Sequence, residues 1–217
     1  ISLVILVLIM YGRSVGFEFT LDDDLFYQKH ESVQRGLSGF SEFFSYGSMY
    51  KFDGTTGVQP YRPITLLSFS IDKELYDNSP GKSHLLNLIY YIVLLQILFS
   101  LLKRLFPDFH IALLGFIALL FAAHPLHSEV ICSVKSRDEI FSLIFISLTL
   151  LYTFKYLEFK KTSHLFWACI LFLLALLSKE YAVMLLILIP IAVYTFTINN
   201  FDIKGFFNYL ITPSSWI

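Results

Sequence analysis

Residues 83–102 read SHLLNLIYYIVLLQILFSLL, a stretch without a single aspartate, glutamate, lysine or arginine. Coiled as a helix at 1.5 Å per residue, it covers about 30 Å, the thickness of a bilayer's hydrocarbon core. Working outward, comparable windows occur at residues 1–16, 110–127, 140–157, 164–178 and 181–198. The whole chain of 217 residues is 56% hydrophobic and 15% charged, whereas soluble domains sit near half apolar and a quarter charged. The 23 Phe and 13 Tyr supply lipid-facing and interfacial rings. A soluble helical core would place more charge between its windows. The sequence therefore predicts an all-α integral membrane protein, a multi-helix bundle that crosses the bilayer several times.

The first window begins apolar at Ile1, and a signal peptide would need a basic n-region and a small-residue cleavage site. Residues 1–16 are expected to be the outer half of a helix whose start is missing. The chain then reads as the N-terminal part of a larger membrane domain. Residues 203–217 would open a further span or lie in the interface. Pro190 falls inside the last window, where a bundle tolerates a kink.

Lys103, Arg104, Lys155, Lys160 and Lys161 would lie on one side, and Lys135, Arg137 and Lys179 on the other. The excess favours the first group as cytoplasmic, with the long first loop, roughly residues 17–82, facing outward. A net charge of −1 and the lack of a basic run give no footing for nucleic acid. Cys132 and Cys169 are too few for a disulfide framework.

With alternating windows, LDDDL (21–25), HPLHSEV (124–130), KSRDE (135–139) and SKEY (178–181) all reach the outer face. Ionisable groups beside hydrocarbon are costly and mark function by default. Asp22, Asp23 and Asp24 are candidate general bases. Arg62, Arg137 and Lys179 are candidate phosphate-binding cations. Asp138 and Glu139 also suit the positive start of a helix. Residues 63–71 predict a short amphipathic helix on the membrane surface, with Pro63 in its first turn. His124, His127 and Glu129 are metal-ligand types, but no tight pair defines a zinc site. No cofactor is required by this reading, with a divalent metal as the alternative. The window cores hold only weakly polar groups such as Asn87 and Gln96, which argues against a transporter or flippase coupling ions at midplane.

In this order, DDD (22–24), YRPITLLSFSID (61–72), HLLNLIYYIV (84–93), HPLHSEVICSVKSRDEI (124–140) and LLSKEYAV (176–183) resemble the GT-C membrane glycosyltransferases. The likeness is to the protein O-mannosyltransferase-like branch that carries tetratricopeptide repeats at its C-terminus. It implies a GT-C-like bundle with a large first outer loop, and further helices and repeats beyond this chain. It implies transfer of a hexose, commonly mannose, from a polyprenyl- or dolichyl-phosphate donor to a hydroxyl on a protein or glycan. It makes Asp22 or Asp23 the base, with Asp24 extending the pair. It sets Arg62, Arg137 and Lys179 around the donor phosphate, and His124, His127, Glu129 and Glu180 along the same pocket. The composition, rich in Ile, Phe, Lys and Asn, points to a bacterial inner membrane, with the endoplasmic reticulum as the alternative.

Overall fold

The computed structural model describes residues 2–20, 22–23, 27, 29–45, 60–77 and 79–197. Asp24 and the stretch 203–217 lie outside them. Among the described residues every regular element is helical, as expected of an all-α GT-C-like membrane bundle. Helix α1 (Ser2–Tyr11) runs into a 3₁₀ turn, Gly12–Gly16. Two short loop helices follow, α2 (Glu31–Gln34) and α3 (Phe40–Phe43), and then α4 (Pro63–Tyr76). The remaining helices are α5 (Pro80–Leu105), α6 (Ile111–Ala122), α7 (His127–Cys132), α8 (Arg137–Phe159) and α9 (Thr162–Ser178). A 3₁₀ turn, Glu180–Met184, leads into α10 (Leu185–Thr197).

Three segments are long and apolar enough to cross a membrane: Pro80–Leu105, Arg137–Phe159 and Glu180–Thr197. Helix α5 has Pro80 in its first turn and Lys103 and Arg104 in its last. Both suit the missing donor of proline and the negative end of the helix dipole. Helix α8 begins with Asp138 and Glu139 in its first turn and ends where Lys160 turns left-handed, φ 51°. The expected span 110–127 is shorter in fact. Helix α6 stops at Ala122, its 12 residues reaching only about 18 Å. Pro125 cannot continue the ladder and restricts the residue before it, so the chain restarts as α7.

The bundle core joins Leu3 and Val7 of α1, Leu88 and Leu95 of α5, Ala118 of α6 and Ile140 of α8. Gly81 lets the α1 exit turn close on α5, since a Cβ there would stand 2.8 Å from the Val15 carbonyl oxygen. Helix α4, at 14 residues, is longer than the sequence predicts, and one of its sides packs inward. Leu66 and Phe69 pack with Tyr27, Val33, Phe43 and Val134 in a second cluster. Ile71 and Leu75, on its other side, stay exposed.

Contacts define two ends. At one, Arg62 meets Asp138 and Glu180, and Asp23 meets Lys135. At the other, Arg104 at the end of α5 pairs with Glu158 at the end of α8. Phe106 and Phe196 pack edge to face there as well. The chain thus alternates direction, and the acidic loop and the starts of α8 and α10 share one face. Single cysteines replacing Ser45 and Lys160 in the full-length protein are expected to label from opposite sides of the membrane with an impermeant maleimide. Labelling of both from one side would contradict this topology.

Candidate active site

Asp22 and Asp23 stand in a helical turn beyond α1, and consecutive residues of a turn point in different directions. Asp23 points inward and is fully buried. One carboxylate oxygen accepts from the Lys135 backbone N–H at 2.7 Å and from the Ser133 hydroxyl at 3.1 Å. The other accepts from the Thr20 backbone N–H at 3.3 Å. The extended backbone of Ser133, φ −105° and ψ 124°, presents these donors between α7 and α8. Asp22 points outward, its side chain 56% exposed, with its carboxylate 3.7 Å from Lys135 Nζ.

Beside this pair lies a run of ion pairs. Asp138 at the start of α8 receives Arg62 and lies 3.8 Å from Lys179 Nζ. Arg62 also reaches Glu180 at 3.1 Å, and the Tyr61 backbone N–H donates to Glu180 at 3.2 Å. Lys179 pairs with Glu139, which accepts the Tyr181 hydroxyl at 2.9 Å. Burial works against the Arg62 charge. The Glu180 hydrogen bond and the Asp138 carboxylate outweigh it, so Arg62 holds its proton more firmly than an ordinary arginine.

The remaining expected residues are distributed differently. Arg137 is not beside an open pocket: its side chain is 0% exposed and lies 2.8 Å from Asp72, itself 1% exposed. A guanidinium enclosed in this way has no edge left for a lipid phosphate. His127 bonds the Tyr91 hydroxyl at 2.9 Å. It lines a cavity of about 180 Å³ with Glu139 and Tyr181. Burial pushes its imidazole below the usual range, despite the Phe121 carbonyl that opposes the shift. His124 and Glu129 are exposed and do not line that cavity. Among the described residues, no three His, Cys, Asp or Glu side chains gather to hold a metal ion.

Lys135, Asp138, Glu139, Tyr61 and Tyr181 were not among the candidate residues, yet each touches one that was. The signal for Lys135, Asp138 and Glu139 was present in KSRDE, where charge recurs at the start of an apolar window. Its favourable fit to a helix N-terminus concealed the partners that only α4 and the α9–α10 turn supply.

Arranged this way, the face can accept a proton at Asp22 and can set cations against an incoming anion. A family profile described as dolichyl-phosphate-mannose-protein mannosyltransferase matches residues 69–211. The protein O-mannosyl-transferase TMTC3 of Mus musculus is 38% identical over 85 residues, 39% of this chain and 9% of that protein. The tmtc2 protein O-mannosyl-transferase of Xenopus laevis is 27% identical over 166 residues, 76% of this chain and 19% of that protein. A protein O-mannosyl-transferase of Caenorhabditis elegans is 28% identical over 195 residues, 88% of this chain and 27% of that protein. The chain therefore spans little more than a quarter of these relatives at most. No solved structure matches it. Since the profile covers well over half of the sequence, from within α4 through all the later helices, the chain belongs to the dolichyl-phosphate-mannose-protein mannosyltransferase family.

Proposed function

We propose that this chain forms the first part of the membrane domain of a protein O-mannosyltransferase. Such an enzyme moves mannose from a dolichyl- or polyprenyl-phosphate carrier to a Ser or Thr hydroxyl at the outer or luminal face. The observation that carries the reading is the exposed Asp22 carboxylate beside Lys135, on the same face as Arg62 and Lys179. An acceptor hydroxyl must lose its proton as its oxygen bonds to the sugar's anomeric carbon, and a carboxylate within reach can take it. The bond from that carbon to the phosphate oxygen breaks as the new bond forms, and the leaving lipid phosphate keeps the electron pair. Cations already at the face hold the donor phosphate through the step. Asp22 suits the base, because the Asp23 oxygens already accept from three donors. Lys135 takes the place in the phosphate set that was expected of Arg137.

The relatives' names, protein O-mannosyl-transferase, support a protein acceptor, and the family's description supports a dolichyl carrier. All three relatives come from animals, so the bacterial inner membrane finds no support and the endoplasmic reticulum membrane is the proposed location. Ion-coupled transport gains no observation, because these ion pairs stand at the ends of the bundle and not at midplane.

The test uses the full-length protein in microsomal vesicles with dolichyl-phosphate mannose and a Ser/Thr-containing peptide. Mannose on the peptide is expected. Arg62→Gln should raise the donor KM about tenfold while changing kcat little, as loss of ground-state binding does. Failure to transfer from any member of a panel of lipid-phosphate hexoses would overturn the reading.

A further inference from the structure

Among the described residues Arg137 is a fully buried charge with several polar partners, and the proposed chemistry does not use it. Its Nε donates to the Asn87 side-chain oxygen at 2.7 Å. Its two terminal nitrogens reach the Ser68 hydroxyl at 3.2 Å, the Ser83 carbonyl at 3.3 Å and Asp72 at 2.8 Å. The Phe69 and Tyr90 rings flank the guanidinium carbon at 5.1 and 5.4 Å. A planar fork with five N–H donors can satisfy such a set, whereas an ammonium cannot.

Two branches leave this hub. In the first, Asn87 passes its amide N–H to the Ser133 carbonyl at 2.9 Å, and the Ser133 hydroxyl donates to Asp23. In the second, Asp72 holds α4. Arg62, Leu66, Phe69 and Asp72 recur at the spacing of one helix face, and about 15 Å of rigid helix separates the Arg62 end from the Asp72 end. A helix pinned at Asp72 cannot rotate or slide without moving Arg62 away from Asp138 and Glu180. We infer that Arg137 is a positioning residue that holds the aspartate turn and the Arg62 cation in mutual register through two separate branches.

Burial alone does not account for the arrangement. A buried ion pair is a poor source of net stability compared with apolar packing, but it fixes direction, and here both directions end at the site. The kinetic part of the test rests on the mannosyltransferase reading; the geometric part does not.

In the full-length protein, with rates normalised to inserted enzyme, Asn87→Ala should loosen the aspartate turn. It is expected to lower kcat on the order of 10²-fold, the scale of a misplacement near 1 Å, and to leave the donor KM unchanged. Asp72→Asn should release α4, raising the donor KM about tenfold with kcat nearly kept. Arg137→Lys, which keeps the charge and loses the fork, should show both defects. If the variants lower only the amount of inserted protein, or if both branches shift the same parameter, the positioning role is wrong. The second readout needs no sugar transfer. Cysteines at Tyr61 and Glu180 in a cross-linking assay that needs no catalysis should join several-fold more slowly with Asp72→Asn and at the unaltered rate with Asn87→Ala. Equal cross-linking in both would overturn the α4 branch even if the wild-type protein proved to transfer no mannose.

Discussion

Asp22→Asn in the full-length protein is expected to slow mannosyl transfer by about 10²–10⁴-fold, the usual cost of removing a general base. The protein should remain folded and inserted. The Asp22 side chain is more than half exposed and its ion pair with Lys135 is 3.7 Å long, so little structure depends on its charge. Asp23→Asn should behave differently. Asp23 is fully buried and accepts the Lys135 and Thr20 backbone N–H groups. An amide there turns one oxygen into a donor facing a donor, and leaving a buried polar group unsatisfied costs about 1–3 kcal/mol. Its loss of activity should therefore accompany a loss of inserted protein. Measuring transfer rate and membrane-inserted amount for both variants separates base from scaffold. Near-normal rates in folded Asp22→Asn would remove Asp22 from the mechanism.

Arg137→Leu should be the most destabilising single change, by about 3–5 kcal/mol, the cost of stranding one member of a buried ion pair. The stranded group is Asp72. Burial already raises its carboxyl above the ordinary range, and the Arg137 charge opposes that rise. Without the guanidinium the upward push prevails over the Ser83 hydrogen bond, so Asp72 takes up a proton, and the lost side chain leaves a packing gap between Phe69 and Tyr90. The double variant Arg137→Leu/Asp72→Leu should regain most of the stability, because apolar packing often replaces a buried pair at no net cost. Heat inactivation of the detergent-solubilised protein, followed by retention of soluble monodisperse material, measures both. Recovery of stability without recovery of transfer is the expected result. Recovery of both would make the pair a mere packing element.

Much of this bundle was legible along the chain. Apolar length located α5, α8 and the last span, because a residue in hydrocarbon must be apolar whatever its neighbours are. Pro63, the Lys103–Arg104 pair and the Asp138–Glu139 pair marked helix ends through local backbone physics. The alternation of windows was enough to bring the acidic loop, KSRDE and SKEY to one face. Helix α6 was read as too long because its apolar run extends past Ala122, while the break depends on Pro125.

Which charge turns inward was a different kind of question. Arg137 and Asp138 are consecutive, about 100° apart around α8, and either could have met a substrate. The sequence by itself determined that both stand at the start of a span. Only the packing of α4 decided their roles, because Asp72, ten residues past Arg62, supplies a buried carboxylate on one side of α8 while Arg62 supplies a cation on the other. Likewise Asn87 looked like a weakly polar residue in an apolar window, and it became a link to Asp23 only when Ser133 came within 2.9 Å of it. Local sequence sets helix length and depth through solvation, but the partner of a charge comes from elements distant in the chain, and no periodicity encodes that pairing.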